Sequence, residues 1–312
     1  MRFSIFTPTN NINLIDEAIK SVEDQSFQDF EWIILLNGKA EKDQSKLKSK
    51  LSNINVKIKK YTKKTSSIGL LKKECIAHCD GEIIVELDHD DALESNCLEE
   101  LNKHFKKHNA DFCYSDNFEF DTEKKEYIEP FDRFWGWKYY KRDSDQASCV
   151  QAFDPSPLSF GYIWYAPNHV RAWNRDFYWK IGGHNSELDV CDDHDLVCRT
   201  YIHGKCIRVP LPLYKYNLSE HNTCYGEKNV KIQEVTHDIH DEHIPAMVEK
   251  WCGENNYEMV DLCSCDNAPE GYIGVDKVKF NSKDLVFDLD EPNWPFKDES
   301  IGVFRSQDAI EH

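Results

Sequence analysis

Residues 83–91, Ile83-Ile84-Val85-Glu86-Leu87-Asp88-His89-Asp90-Asp91, decide how this chain is read. The apolar run 83–87 reads as a buried strand, and it ends in three carboxylates, Asp88, Asp90 and Asp91. Residues i and i+2 of an extended backbone face the same side, so Asp88 and Asp90 aim at one point past the strand's carboxyl end. In an open α/β sheet that is where ligands sit. Two close carboxylates repel. A hard divalent cation, Mg²⁺ or Mn²⁺, suits such oxygen ligands and completes its shell with substrate phosphates. A second reading is a polar turn in which Asp91 caps a helix beginning at Ala92-Leu93-Glu94.

The residues before this stretch alternate strand and helix. Residues 3–6 form a strand ending at Thr7-Pro8-Thr9-Asn10, and a helical pattern follows over 14–22, with Leu14, Ile15, Ala18, Ile19 and Val22 on one face. Residues 31–36 form a second strand ending at Asn37-Gly38, and 57–61 a third, polar and near an edge. A helix over 70–79 leads into the acidic strand. Such a βαβ series predicts a parallel sheet whose carboxyl-end loops share one rim. Residues 7–10, 37–38 and 88–91 all fall on that rim.

After a short strand at 112–114 the character changes. Residues 131–140 and 160–178 are dense in Trp, Tyr and Phe. Residues 196–202 read as helix, 205–209 as strand and 232–249 as a helix or a pair of helices. A strand-loop-strand pattern opens near Glu258. The expected division is therefore 1–225 as the sheet domain, 226–257 as a helical extension or linker and 258–312 as a separate segment.

At 312 residues the chain can bury a large core and hold more than one domain. A formal net charge of -18 argues against a nucleic-acid surface, which needs clustered Lys and Arg. The lysine-rich stretch 57–64 is short and reads as a solvated strand edge. No run approaches the roughly 18 to 20 apolar residues of a membrane span. The N-terminus runs straight into a strand with no signal-peptide pattern, so a cytoplasmic location and reduced thiols are expected despite twelve cysteines.

Two further motifs carry chemistry. Gly182-Gly183-His184 precedes Cys191-Asp192-Asp193-His194-Asp195-Leu196, which places acids at the start of an amphipathic helix. There the dipole and free N–H groups favour negative charge, so either acid can be only a cap. The polar stretch 214–223 holds one imidazole, His221, within reach of a metal or a diphosphate; a lone histidine is usually not a ligand.

Together, and in this order, these motifs resemble family-2 glycosyltransferases of the GT-A fold over about residues 1–225. The resemblance implies an α/β, Rossmann-like, mostly parallel sheet flanked by helices. It sets Thr7, Pro8 and Thr9 against the nucleotide of the donor. Asn37 stands where the family usually has Asp, and Lys72 and Lys73 stand where an Arg-Asn pair is common. Asp88-His89-Asp90 matches the DXD metal motif, with His89 beside the donor and His221 near metal and diphosphate. Asp192-Asp193-His194-Asp195-Leu196 resembles the family's Glu-Asp-aromatic-Asp-Leu motif, whose central acid is the catalytic base; that role falls on Asp193.

The chemistry suits the residue types. The cation offsets charge building on the leaving diphosphate, and one carboxylate takes the acceptor's proton in a single displacement with inversion. The implied function is transfer from a nucleotide-sugar, a UDP-sugar foremost, to a hydroxyl of a glycan or other acceptor. Trp135, Trp137, Trp164, Asn168 and Asp192 are candidate acceptor contacts, and His169 and Arg171 are open to the same reading. Aromatic rings are, however, more often core or lid packing. Two rivals stand beside this function: an inactive sugar- or nucleotide-binding module, and a sugar-1-phosphate nucleotidyltransferase. The latter's Gly-rich, Arg-containing first loop is not what residues 7–10 provide.

Residues 258–312 resemble the opening of S-adenosylmethionine-dependent methyltransferases, with Asp276 as the ribose acid. Cys263 and Cys265 stand where that family has glycines, and the stretch is far short of the roughly 150 residues of such a domain. It is read as a truncated segment, and methyl transfer is not assigned to it.

Overall fold

The alternation of apolar strands and amphipathic helices builds a central sheet with helices against it. The structure, a computed structural model, describes residues 2–51, 54–65, 67–129, 136–218, 227–280 and 285–306. Trp135 and His221 lie outside the described residues. The chain divides into two compact units, Met1–Glu242 and His243–His312, with the division inside one helix.

The first unit opens with β1 (Phe3–Thr9), α1 (Asp16–Glu23), β2 (Phe30–Asn37), a 3-10 turn (Gly38–Lys42), α2 (Gln44–Lys50), β3 (Val56–Tyr61), α3 (Ile68–Ile76) and β4 (Ile83–Glu86). It continues with β5 (Ala92–Leu93), α4 (Cys97–His108), β6 (Phe112–Asp121), β7 (Glu126–Tyr127), β8 (Lys138–Lys141), β9 (Ser148–Gln151) and a π-helical turn (Pro157–Gly161). Then come β10 (Arg171–Asn174), α5 (Arg175–Lys180), α6 (Asp192–His203), β11 (Cys206–Leu218) and α7 (Glu227–Asn255), which runs on into the second unit.

The main sheet has the order β3-β2-β1-β4-β10-β6-β11-β5. Strands β3, β2, β1 and β4 are parallel, as the βα alternation predicts, and the polar β3 is the edge. The sheet as a whole is mixed. β10 inserts antiparallel between β4 and β6, which sets Arg171, at its start, beside the carboxyl end of β4. β11 runs parallel to β6, breaks register around Val209, Pro212 and Tyr214, and pairs with β5. Proline has no N–H to give the ladder, so register breaks at a proline-punctuated stretch are expected.

The core gathers Phe3, Ile5, Trp32, Ile34, Ile83 and Val85 from the parallel strands with Ala18, Ile19 and Val22 from α1. The aromatic middle of the chain hangs from β6. Asp116, itself buried, accepts from Arg208 Nε at 2.9 Å and Nη2 at 2.8 Å, from the Tyr140 hydroxyl at 3.0 Å and from the Ala152 N–H at 2.9 Å. This carboxylate reinforces the antiparallel β9–β6 pairing, Asn117 with Val150 and Phe118 with Cys149, that joins the β8–β9 hairpin to the sheet.

In the second unit, β12 (Glu258–Leu262), β13 (Tyr272–Asp276), β14 (Leu285–Val286) and β15 (Ile301–Ser306) form a parallel sheet in the order β14-β13-β12-β15. The rings of Phe296 and Phe304 lie 6.4 Å and 5.6 Å from that of Trp294, and Trp294 is still 42% exposed. Asp276 ends β13, and its Oδ2 accepts the Cys265 N–H at 3.3 Å. Among the described residues no helix is long and apolar enough to cross a membrane.

Gly81 lets the approach to β4 press onto β1. A Cβ there would lie 2.6 Å from Phe3 C and Ser4 N, both backbone atoms that cannot yield cheaply. Gly81→Ala is therefore expected to cost about 1–3 kcal/mol, the usual cost of overpacking, read from urea unfolding. An unchanged midpoint would show that this corner can move.

Candidate active site

The site grows from Glu86, the last residue of β4 and an acid inside an otherwise apolar buried strand. A buried carboxylate needs a cation, and Glu86 has two. Lys72 Nζ lies 2.7 Å from Oε1, and Arg171 Nε donates to Oε2 at 2.9 Å. Burial alone would push the Glu86 carboxyl up, but Arg171 and Lys72 outweigh it and hold it well below the carboxylate range. Lys72 reaches this point because α3 presses against the start of α6 at Gly69. A Cβ on Gly69 would meet Asn185 O at 2.5 Å and Asp192 Cβ at 2.8 Å.

Arg171 spreads its guanidinium over three partners. Besides Glu86, Nη1 donates to Asp193 Oδ2 at 2.8 Å and Nη2 lies 2.8 Å from His169 Nε2. Arginine has only donors, so Nε2 of His169 is the acceptor and the ring proton sits on Nδ1, 3.2 Å from Asn168 Oδ1. This guanidinium ties the acidic strand to the helix that begins with Asp192.

Asp192 and Asp193 are neighbours in opposite environments. Asp192 is buried, with Lys72 Nζ 3.7 Å and His184 Nε2 3.8 Å from its Oδ2. Burial pushes its carboxyl up to about 6 even with Lys72 nearby. Burial pushes Asp193 up as well, but Arg171 and Lys72 outweigh it and leave Asp193 well below its ordinary value. The Asp193 side chain is 30% exposed and accepts the His194 N–H at 2.9 Å on Oδ1, so each of its oxygens keeps a lone pair for a ligand. Asp195 is taken by Arg199, which also donates to the carbonyls of Ile181 and Gly183 and so closes the glycine-pair loop onto α6.

The acidic turn sorts its three carboxylates. Asp91 does not cap a helix. Ala92–Leu93 is strand β5, α4 starts only at Cys97, and Asp91 accepts from the Tyr214 hydroxyl and the Asn217 N–H, both at 2.8 Å. Asp88 and Asp90 are only partly buried, and His169 Nε2 lies 3.7 Å from Asp88 Oδ2. Burial and the Asp88 charge raise the Asp90 carboxyl.

Other expected residues are placed differently from one another. The Thr7 hydroxyl donates to Leu87 O at 2.7 Å and accepts from Trp32 Nε1 at 2.9 Å, and the Thr9 hydroxyl accepts the Asn11 N–H at 3.1 Å. Both threonines are buried, whereas Pro8 and Asn37 are half-buried at the rim. Lys72 is buried in the acid network, so it differs in kind from half-buried Lys73 and His89. Trp137 stacks on Tyr165 with ring centres 5.7 Å apart, and Trp164 meets Tyr165 edge-on at 5.0 Å; with Asn168 these side chains remain half-buried. Glu86 and Tyr214 were not marked as site residues by the motifs. The signal for Glu86 is the one charge inside an apolar strand.

Residues 4–163 match glycosyl transferase family 2. The chain belongs to that family. Its fold is similar to that of TarS of S. aureus. Against TarS 1–349 in complex with UDP-GlcNAc the TM-score is 0.58 at 13% identity, with 82% of this chain and 73% of that one covered. Against TarS 1–349 alone it is 0.55 at 13%, covering 77% and 65%, and against longer TarS it is 0.53 at 15%, covering 76% and 39%. The chain thus spans just under two thirds of TarS 1–349 alone and well under half of the longer protein. No curated protein sequence matches it.

A family-2 site implies a divalent cation, and the donor atoms can be tested for it. Ligand atoms of Glu86, Asp88 and His169 lie within 4.8 Å of one another. Two of the three are spent, because Glu86 is neutralised by Lys72 and Arg171 and His169 Nε2 accepts from Arg171. Asp88 and Asp90 fit better, as adjacent oxygen donors with no Lys or Arg bonded to either among the described residues; His169 Nε2 stands 3.7 Å from Asp88 Oδ2.

Asp192 supplies a pH test. An acid raised in the fold stabilises it below the unfolded value near 4 and loses that contribution as pH rises through about 6. Asp192→Asn is expected to gain about 1–3 kcal/mol at pH 7.5 and almost nothing at pH 4, read from urea unfolding at both pH values. A loss at pH 7.5 would mean that Lys72 depends on the Asp192 charge.

Proposed function

We propose that this chain transfers a sugar from a nucleoside-diphosphate sugar, most simply a UDP-sugar, to an acceptor hydroxyl in one inverting displacement. The observation that carries the reading is the link from the acidic strand through Glu86 and Arg171 to half-exposed Asp193. It gathers an acidic turn suited to a cation and diphosphate and a carboxylate suited to a proton within one bonded network. TarS has been captured with UDP and with UDP-GlcNAc, which supports a uridine donor here.

In this reading Asp88 and Asp90 hold Mn²⁺ or Mg²⁺, with His221 as a further candidate ligand. When bound, that ion offsets charge on the leaving diphosphate. Pro8 and Asn37 border the nucleotide at the rim, with Lys73 and His89 beside the phosphates. Asp193 takes the acceptor proton. It is ionised at neutral pH, and Arg171 fixes its Oδ2. Asp192 is the stronger base of the two, but its buried side chain faces Lys72 and His184 rather than an incoming hydroxyl. Trp137 and Trp164, with Asn168, form the face assigned to the acceptor, and an aromatic face of this kind suits the apolar side of a sugar ring. The assigned division remains a transferase domain over 1–225, a helical linker over 226–257 and a methyltransferase-like fragment over 258–312. The parallel order β14-β13-β12-β15 and Asp276 at the end of β13 support the last.

Calorimetry with UDP tests the donor and the cation together. Affinity is expected to rise about tenfold or more on adding Mn²⁺, and Asp90→Ala to remove that gain while leaving the fold intact. Equal affinity in Mn²⁺ and in EDTA would leave the diphosphate to lysine contacts. For the base, Asp193→Asn is expected to bind UDP normally and lose about a hundredfold or more in kcat. A near-normal kcat would move the role to Asp192.

A further inference from the structure

The acidic turn is gripped from the far side by β11. The Tyr214 hydroxyl accepts the Asp88 N–H at 3.2 Å and donates to Asp91 Oδ2 at 2.8 Å. Asn217 donates its backbone N–H to Asp91 Oδ1 at 2.8 Å, and its Nδ2 reaches the Asp90 carbonyl at 2.6 Å and Glu17 Oε2 at 2.9 Å. Glu17 Oε1 in turn meets Lys215 Nζ at 2.5 Å, which anchors the strand to α1. Tyr214, Asn217 and Asp91 are all buried, and the Tyr214 ring lies nearly parallel to His169 at 4.9 Å.

Stability alone would favour an apolar residue at position 91, since a buried carboxylate beside two others is unfavourable. What hydrogen bonds add is direction. Both Asp91 oxygens are turned inward, and the backbone is held at Asp88 and at Asp90, the two ends of the pair that faces the ligand. We propose that Tyr214, Asn217 and Asp91 form a positioning clamp that sets the placement of Asp88 and Asp90 for the donor diphosphate. This rests on the reading that those two acids meet the donor. The clamp residues touch no ligand themselves; they act through the turn.

The test compares the full chain with Tyr214→Phe, Asn217→Ala and, as a stability-matched control in the core of α4, Leu101→Ala. UDP affinity is measured by calorimetry with Mn²⁺ and with EDTA, well below each variant's unfolding temperature. Both clamp variants are expected to bind UDP about fivefold or more weakly in Mn²⁺, while Leu101→Ala binds as the parent does despite a comparable loss in Tm. Clamp variants that lose Tm but keep parental affinity would make the three residues structural only and overturn the proposal. A parent chain that binds no UDP would overturn the donor reading and the clamp with it. A parent that binds equally in EDTA would remove the cation alone, and the clamp would still be judged by the affinity of its variants.

Discussion

Glu86 is the charge around which the rest of the site is arranged. A carboxylate in the middle of a sheet is tolerable only if cations come to it, and they come from two different elements, α3 through Lys72 and β10 through Arg171. That demand explains two features of the fold. α3 must press close to α6, which Gly69 permits. β10 must run against its neighbours, so that its first residue, not its last, lies at the carboxyl end of β4.

The same network divides labour between two adjacent acids. Asp192 and Asp193 are consecutive residues of one helix start, yet one is raised and the other lowered. The difference follows from where the cations point. Arg171 is bonded directly to Asp193, whereas Lys72 stands 3.7 Å from Asp192 and spends its shortest contact on Glu86. Pairs of titratable groups pushed apart by their surroundings are a common arrangement at sites that move protons.

Much of this was legible from the chain. Short apolar runs and one helical pattern identify β1, α1, β2 and β4, because these strands are buried along their length and the helix must bury one apolar face. β10 was not legible. Arg-Ala-Trp-Asn is too short to show a period, and its neighbours are chosen by long-range pairing with β4 and β6. The turn at residues 88–91 is legible as an acidic rim at the carboxyl end of β4. The inward use of Asp91 was hidden, since Tyr214 and Asn217 stand more than a hundred residues away in sequence. The opposed environments of Asp192 and Asp193 likewise depend on Lys72 and Arg171, distant in sequence from both.

The attachment of the β8–β9 hairpin along β6, clasped by the Asp116 carboxylate, has a consequence for how such a protein can diversify. The hairpin joins the sheet through the β9–β6 pairing, at Asn117 with Val150 and Phe118 with Cys149, and Asp116 adds a polar clasp beside it. Insertions, deletions or exchanged loops that keep the β9–β6 pairing and the Asp116 clasp intact therefore leave Glu86, Asp192 and Asp193 with their cations in place. Modularity of this kind lets an outlying hairpin change while the charged centre is inherited unchanged, and it marks the turn between β8 and β9 as the natural place for an engineer to insert new sequence.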